Sequence, residues 1–493
     1  MLGAPSPGCA GRGRPTEGGL MTTTEHDRTV RVPDARNAST LDRHFRITER
    51  GSSVRTEVVA GIATFLTMAY ILFLNPAILG AVADGTGATL PFDQVLTVTA
   101  LVAGVATIVM GLWANVPFAL AAGLGLNGFV AFTLVGTLGL TWPEAMGVIL
   151  VEGLVIAALV LTGFRQAVMN AIPMDLKRAI GIGIGLFLVI IGLANAGIVV
   201  QGEGTPVTLT NDFTTFPMLV FAFGLALTAI MVVRNVRGGL LIGILVTTAL
   251  AIVINEIWGD GVLWGETGIA TVPSDVVASP DFSLVGNVSL GFVSTLGLVA
   301  ALAPVIAVML SDFFDTMGTA VALGEEANLL DRDGKLPNMN RVLFVDSLAA
   351  AAGGAASSSS NTTFIESAAG IGEGGRTGLT AVVTGALFLL CLFISPLAGV
   401  IPPEATAPVL VVVGYLMMRT VGEIDWRDPA IGIPALLTIT VMPFTYSIAN
   451  GIGAGFIAYT VIRVLQGRFL KVHPLMYLAS AVFVWYFVRG LVA

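Results

Sequence analysis

Apolar runs long enough to cross a lipid bilayer recur along almost the whole sequence after Thr56. Hydrophobic residues make up 55% of the 493 residues and charged residues only 11%, whereas soluble proteins carry about 25% charged residues. In lipid, every backbone N–H and C=O group must be paired within the chain, so repeated apolar runs predict spanning helices. The sequence therefore predicts an all-α, polytopic membrane protein.

Hydropathy and turn residues divide these runs into about fourteen predicted spans. They are 57–79, 95–114, 117–136, 143–162, 179–199, 216–233, 238–257, 292–322, 340–356, 360–372, 378–399, 405–420, 428–447 and 450–466. Residues 475–488 form a further apolar stretch, which suits either an extra span or a helix at the membrane surface. Residues 1–40, rich in Gly, Pro, Thr and Arg, are predicted to form a disordered tail. No apolar run precedes Val58, so we expect no cleavable signal peptide.

Basic residues give an independent prediction of orientation, because cytoplasmic loops carry an excess of Lys and Arg. With a cytoplasmic N-terminus, the fourteen spans place every basic residue beyond the tail on the cytoplasmic side, Arg489 excepted. These residues are Arg43, Arg46, Arg50, Arg55, Arg165, Lys177, Arg178, Arg234, Arg237, Arg332, Lys335, Arg341, Arg376, Arg419, Arg427, Arg463, Arg468 and Lys471. We therefore predict a multi-pass protein of the plasma or inner membrane.

A polar segment, SSSSNTTFIES at 357–367, separates two segments apolar enough to cross a bilayer. Ser and Thr favour extended backbone and helix N-termini over helix interiors. We therefore expect a few extended residues, then a half-helix that begins near Thr362 and carries Glu366 on its first turn. Irregular backbone at mid-membrane depth is typical of transporter binding sites. The alternative, a solvated cytoplasmic loop, is disfavoured by the apolar flanks.

A weak internal repeat pairs the two halves of the chain. AIP at 171–173 matches VIP at 400–402, and IGLF at 184–187 matches VGYL at 413–416 at the same offset. The repeat unit holds seven spans, and an odd number requires the second copy to be inverted in the membrane. The third span then corresponds to the tenth, and both are polar or Gly-rich at their start. Paired interrupted spans of this kind indicate a binding site near the membrane midplane.

The third span begins AAGLGLNGF at 121–129. Gly125 permits close backbone approach, and Asn127 offers both a hydrogen-bond donor and an acceptor. A small-residue helix-packing face is the alternative interpretation. The correspondence with the tenth span favours a binding role.

Intramembrane acids are the other candidates for chemistry, because no histidine lies in a predicted span. Asp312 and Asp315 of the eighth span are three residues apart and are expected on one helical face. A buried acid must be protonated, paired or in contact with water, although Asp315 also suits a helix-end cap. Glu152 in the fourth span is either a helix contact or a proton-relay acid. Asp346, near the start of the ninth span, is expected to face water.

Three motifs carry a family resemblance: TEVVAGIATFLTMAYIL followed by NPAIL at 56–79, DFFDTMGT at 312–319, and SNTTFIESAAGI at 360–371. They resemble the first-, eighth- and tenth-span motifs of the azaguanine-resistance type of purine permease. These permeases are relatives of the uracil and xanthine/urate carriers of the nucleobase–ascorbate family. The resemblance extends over residues 42–470.

The resemblance implies seven plus seven inverted spans, with short extended segments in the broken spans 3 and 10, divided into a core and a gate domain. It also implies roles for Asn127, an eighth-span acid and Glu366. The uracil-type relatives have a glutamate in the eighth span, so the choice between Asp312 and Asp315 stays open. The predicted divisions are core 41–162 and 292–399, gate 163–257 and 400–466, an extracytoplasmic linker 258–291, and a C-terminal segment 467–493.

The leading hypothesis is a transporter that imports purine nucleobases (hypoxanthine, guanine or adenine) by proton symport with alternating access. The predicted substrate-binding residues are Gly125, Asn127, Asp312, Thr362, Thr363 and Glu366, and the predicted proton-coupling residues are Asp312, Asp315 and Glu366. The lipid bilayer is an expected partner, a homodimer is expected by analogy, and no nucleic acid is expected. An anion carrier of the same fold, for sulfate or bicarbonate, is the alternative, which the carboxylates would disfavour by repulsion. No catalytic constellation, metal-ligand spacing or cofactor motif predicts an enzyme.

Overall fold

The computed structural model describes residues 39–162, 172–202, 204–259, 263–264, 269–272, 275–331, 336 and 338–492. Predictions that concern the tail before Ser39, Arg165, Ala171, Arg332, Lys335 or the side chain of Arg489 lie outside the described residues. In the described part, nine helical stretches are long and apolar enough to cross a membrane. The prediction of a mostly helical membrane protein is thereby confirmed, whereas the count of fourteen spans stays a prediction.

The helices follow the predicted segments closely. In the first half they are α1 (Thr40–Phe45), α2 (Val54–Met68), α3 (Ile71–Leu79), α4 (Phe92–Val109, continued by a π-helical turn Met110–Ala114), α5 (Leu124–Gly128, continued by a π-helical segment Phe129–Thr137), α6 (Trp142–Thr162), α7 (Met174–Asn195), α8 (Phe216–Val233) and α9 (Gly239–Trp258). In the second half they are α10 (Phe292–Leu296), α11 (Leu298–Glu326), α12 (Met339–Ala355), α13 (Ala368–Gly372, preceded by a 3₁₀ turn Ile365–Ser367), α14 (Gly378–Leu390), α15 (Ser395–Gly399), α16 (Pro403–Met418), α17 (Pro429–Phe444), α18 (Ile448–Leu465) and α19 (Pro474–Val492).

The described part of the chain also contains four short strands: β1 (Leu120–Ala122), β2 (Val199–Val200), β3 (Thr208–Leu209) and β4 (Asn361–Thr363). β1 and β4 form an antiparallel pair with Ala121 opposite Thr362, and all six of their residues are buried. Each strand leads into a short helix, α5 after β1 and the Ile365–Ser367 turn with α13 after β4. Extended segments therefore occur in both of the places where the sequence predicts broken helices.

The strand pair explains how irregular backbone is accommodated in an apolar interior. Its ends are extended by hydrogen bonds from Phe364 N to Ala119 O at 2.9 Å and from Gly123 N to Ser360 O at 3.0 Å. A side chain contributes as well, since the Ser367 hydroxyl accepts from Ala119 N at 3.0 Å. Buried backbone groups need such partners because each unpaired group costs free energy.

The predicted start of the tenth-span half-helix is wrong by about one turn. Thr362 lies inside β4, and helical backbone begins only at Ile365. Pairing with β1 satisfies the backbone of this residue, so the extended conformation continues past the point where a cap was expected. Glu366 nevertheless lies in the first turn, as predicted.

Helices α7, α8, α9, α16, α17 and α18 pack chiefly against one another, and the remaining long helices surround the strand pair. The contact between α7 and α16 depends on two glycines that correspond in the internal repeat. A Cβ on Gly414 would lie 2.5 Å from Gly185 O, and a Cβ on Gly185 would lie 2.7 Å from Gly414 O. Any larger residue at either position would separate the two helices.

Glu57 at the start of α2 ties this helix to the turn before α14. Its carboxylate is buried and accepts hydrogen bonds from Arg376 N at 3.0 Å, Thr377 N at 3.2 Å and the Thr380 hydroxyl at 2.6 Å. The turn before α14 depends on this side chain, because the carboxylate accepts from two successive backbone N–H groups, those of Arg376 and Thr377.

We expect Glu57→Ala to lower the thermal unfolding midpoint of the detergent-purified protein. Each buried donor left unpaired costs about 1–3 kcal/mol. The control is Glu49→Ala, whose carboxylate is 69% exposed and only 3.8 Å from Arg46, because exposed ion pairs contribute about 0–1 kcal/mol. Equal midpoints for the two variants would contradict the role given to Glu57.

Candidate functional site

A cavity of about 610 Å³ lies beside the strand pair. Its wall includes residues of β4 and the following turn, the start of α5, and the helices α7, α11 and α16. The cavity is therefore lined both by the helices around the strand pair and by α7 and α16 of the other group of helices. Among the predicted site residues, those in the wall are Gly125, Asp315, Thr362, Thr363 and Glu366.

Glu366 faces the cavity and is held by a partner that sequence analysis missed. The Tyr70 hydroxyl donates to its Oε1 at 2.5 Å, and the Thr67 hydroxyl donates to its main-chain oxygen at 3.3 Å. Tyr70 lies at the break between α2 and α3 and also lines the cavity. A signal was available, because Tyr70 belongs to the first-span motif that carries the family resemblance.

Asp315 is exposed to the cavity and interacts electrostatically with Glu366. Asp312, one turn earlier on α11, is fully buried and is absent from the wall. Of the two acids, only Asp315 therefore lines the cavity. Residues three apart on a helix differ by about 60° in direction, which here is enough to separate the cavity from the protein interior.

The threonines of β4 connect the cavity wall to Asp346. Thr363 donates to Asp346 Oδ1 through its backbone N–H at 2.9 Å and its hydroxyl at 2.8 Å. The Thr316 hydroxyl donates to Asp346 Oδ2 at 2.7 Å and lies 2.6 Å from the Thr362 hydroxyl. Because Thr316 gives its only proton to Asp346, Thr362 is the donor in that contact.

Asp346 is 3% exposed, so the expectation that it faces water is wrong. The sequence places it near the start of an apolar segment, but Thr363 of β4 binds its carboxylate there. Its carboxylate holds β4 in place by accepting two hydrogen bonds from Thr363.

Asn127 on α5 is completely buried, lies outside the cavity wall, and has no protein hydrogen-bond partner for either side-chain atom. Gly125, two residues earlier, is in the wall, where a Cβ would lie 2.4 Å from Ile184. A side chain at Gly125 would therefore close part of the space. Sequence analysis identified both residues, and the structure places only Gly125 against the cavity.

An aromatic cluster lies beyond the cavity along α7. Ile184 lines the cavity. Phe187, about one helical turn after Ile184, contacts Phe132 with a ring-centroid distance of 6.1 Å and Tyr446 with one of 5.6 Å. Phe132 and Tyr446 also contact each other at 5.8 Å. None of these three edge-to-face rings is among the residues that line the cavity.

Basic side chains contribute to the wall through Lys177 and Arg178 of α7. Arg178 forms ion pairs with Glu423 at 2.9 Å and Asp175 at 3.7 Å. Its charge is therefore matched by neighbouring acids. Among the described residues, no group of three or more His, Cys, Asp or Glu is arranged to hold a metal ion.

The fold is similar to that of solved transporter structures. The transmembrane domain of a cyanobacterium bicarbonate transporter, BicA, aligns with a TM-score of 0.56 at 14% identity, covering 81% of this chain and 97% of that chain. Murine Slc26a9, an anion transporter in the inward-facing state, aligns with a TM-score of 0.59 at 10% identity. The alignment covers 88% of this chain and 74% of that chain. Likeness at these identities shows the fold alone.

Sequence comparison is more specific. Adenine permease AdeQ of Escherichia coli is 37% identical over 446 residues, 90% of this chain and 96% of the relative. Guanine/hypoxanthine permease PbuG of Bacillus subtilis is 39% identical over 449 residues, which are 90% of this chain and 98% of the relative. The model of the permease family matches residues 55–454. The resemblance inferred from the motifs is confirmed: the chain belongs to this permease family, that of the nucleobase–ascorbate transporters.

Proposed function

We propose that this protein imports purine nucleobases across the cell membrane by proton symport. The observation that carries the proposal is the placement of two carboxyl groups, Glu366 and Asp315, on one cavity beside the paired strands. Similar family members are named adenine permease and guanine/hypoxanthine permease. A purine is flat, neutral and ringed with N–H donors and nitrogen acceptors, which carboxylates and backbone groups can match.

In this proposal Glu366 accepts a hydrogen bond from the purine ring, while Tyr70 fixes the direction of its carboxylate. Asp315 accepts from the other edge of the base. Gly125 leaves room for the plane of the ring because any side chain there would meet Ile184. Thr362 and Thr363 form the floor beneath the base, with their hydroxyls committed to the network behind them.

Asp312 and Asn127 act from behind the cavity wall. Both are completely buried and neither lines the space. We assign Asp312 to proton coupling. Asn127 would support the start of α5 and reach the substrate only in another conformation.

Alternating access would come from motion of a gate (163–257 and 400–466) against a core (41–162 and 292–399). The separate packing of α7–α9 with α16–α18 supports this division, and the aromatic cluster of Phe132, Phe187 and Tyr446 would seal one side of the cavity. The proposal includes fourteen spans in two inverted repeats, a cytoplasmic N-terminus, and a homodimer through the gate.

The alternative, an anion carrier for sulfate or bicarbonate, draws on the fold of BicA and Slc26a9. Two cavity carboxylates would repel such a substrate, and Arg178 is already paired with Glu423 and Asp175. The sequence relatives also favour nucleobases.

Cells that express the protein should accumulate labelled hypoxanthine and not labelled sulfate. Unlabelled guanine, hypoxanthine or adenine should compete, whereas uracil should not, because the similar family members are named for purines. Sulfate uptake above that of cells with empty vector, without purine uptake, would overturn the proposal in favour of the anion carrier.

We expect Glu366→Gln to weaken hypoxanthine affinity by about tenfold or more, since a hydrogen bond to a charged group contributes about 1.5–3 kcal/mol. The measurement is competition uptake at matched surface levels. Glu404→Gln serves as the control, because Glu404 lies outside the cavity and accepts from Trp264 Nε1 at 2.9 Å. Unchanged affinity in Glu366→Gln would remove Glu366 from the binding site.

Uptake should follow the proton gradient. A protonophore is expected to abolish accumulation of hypoxanthine, and replacement of sodium by choline is expected to leave it intact, because the proposed coupling ion is a proton carried by an intramembrane acid. The opposite pattern, insensitivity to the protonophore with loss on sodium removal, would show that the coupling ion is sodium.

A further inference from the structure

Glu152 on α6 and Asp312 on α11 form a buried acid pair. Both residues are completely inaccessible to solvent, and their carboxyl groups interact electrostatically. None of their four carboxyl oxygens has a protein hydrogen-bond partner. Neither residue lines the cavity. The pair is therefore a separate polar centre inside the protein.

The backbone around Glu152 is fixed by very close helix packing. A Cβ on Gly153 would lie 2.4 Å from Ala351 N, and a Cβ on Gly354 would lie 2.4 Å from Leu150 N. These two glycines let α6 and α12 approach until their backbones touch. Glu152 cannot turn towards lipid without separating the helices.

In the described part of the chain, no cation acts on the pair. Asp312 reaches Glu152 from α11 and Asp346 reaches it from α12, while neither α10 nor the segment Phe129–Thr137 contains a titratable residue. Asp315, on the cavity side of α11, also interacts with Asp312. Adjacent carboxylates without a counter-ion cannot both stay charged in a medium of low dielectric constant. The pair must therefore hold at least one proton.

The Ser360 hydroxyl is a second, independent sign that this space is built for a ligand. It is completely buried, has no hydrogen-bond partner within 3.5 Å, and faces Glu152. Buried polar groups are normally paired, so unpartnered atoms on both sides of one space indicate a site that changes its occupancy. The ligand that two adjacent, buried carboxyl groups without a counter-ion need is a proton, because protonation removes their mutual repulsion.

Ser360 also links the pair to the cavity, because it directly precedes β4. Its carbonyl accepts from Gly123 N at 3.0 Å, and two residues later Thr362 lines the cavity. Thr316 then joins Thr362 to Asp346. A shift of β4 when substrate binds would be transmitted to the acids behind it.

We infer that Glu152 is a proton-coupling residue, and that with Asp312 it takes up the transported proton at a site behind the strand pair rather than in the cavity. The inference rests on the proposed proton symport and adds both a residue and a location. One proton passes from water on the side of substrate entry to a carboxylate of the pair and is released to water on the other side. No other bond is made or broken.

The test is Glu152→Gln in proteoliposomes. Loss of the acid should abolish accumulation driven by an imposed proton gradient, while exchange of internal for external hypoxanthine continues. The pH dependence of hypoxanthine affinity should also disappear, since coupling between two sites is typically worth about 5- to 150-fold in affinity. Asp312→Asn should behave alike, and the double variant should be no worse than either single one, because the two residues act as a unit.

Glu144→Gln is the matched control, as its carboxylate accepts from the Thr141 and Thr295 hydroxyls outside the pair; its accumulation should equal that of the wild type. Glu152→Asp, which keeps an acid, should restore part of the gradient-driven uptake, and a merely structural role would not predict this rescue. Gradient-driven accumulation with wild-type pH dependence in Glu152→Gln would overturn the inference. If Glu152→Gln does not fold, wild-type coupling in Asp312→Asn would overturn it equally. A wild-type protein that neither binds nor exchanges purines would instead refute the proposed function.

Discussion

The antiparallel pairing of β1 with β4 is the interaction on which the rest of the site depends. A membrane interior offers no water to backbone groups, so two helices can be interrupted there only if their exposed N–H and C=O groups meet. β1 and β4 meet this requirement with a pair only three residues long, extended at its ends by Ala119 and Ser360. Because the strands are short, both following helices begin close to the same place, where Glu366 faces the cavity.

The strand pair also divides the intramembrane acids into two sets with different physical roles. Asp315 and Glu366 face a cavity where a ligand or water can solvate them. Glu152 and Asp312 are completely buried, do not line the cavity, and interact with each other. Asp346 stands between the sets and is bonded to the strand itself. The proton symport that we propose needs two sites that influence each other, and a strand bonded to Asp346 would connect them.

The helices α7–α9 and α16–α18, which pack against one another, contribute α7 and α16 to the cavity wall. Their close contact at Gly185 and Gly414 gives α7 and α16 a rigid common surface. Where this group of helices meets the segment Phe129–Thr137, Phe187 of α7 and Tyr446 both contact Phe132 edge to face. Rings packed edge to face can separate without breaking a backbone hydrogen bond. This arrangement suits a boundary that opens and closes while both sides stay intact.

The sequence by itself determined where the chain is apolar, where the helices are interrupted, and that Glu366 lies on the first turn after an interruption. These features depend on local composition, because a run of apolar residues must be helical in lipid and a run of Ser and Thr resists the helix interior. The family also followed from local motifs. By contrast, the start of the half-helix was misplaced at Thr362, since strand pairing involves residues more than two hundred positions apart.

Only the tertiary structure decided which acids face the cavity. Whether Asp312 or Asp315 lines it depends on the rotation of α11 against its neighbours, and a difference of about 60° is enough to exchange them. The burial of Asp346 beneath β4 and the contact of Tyr70 with Glu366 likewise join segments that are distant in sequence. Such pairings leave no periodic trace in a single chain, because they are set by how helices pack and not by what each helix contains.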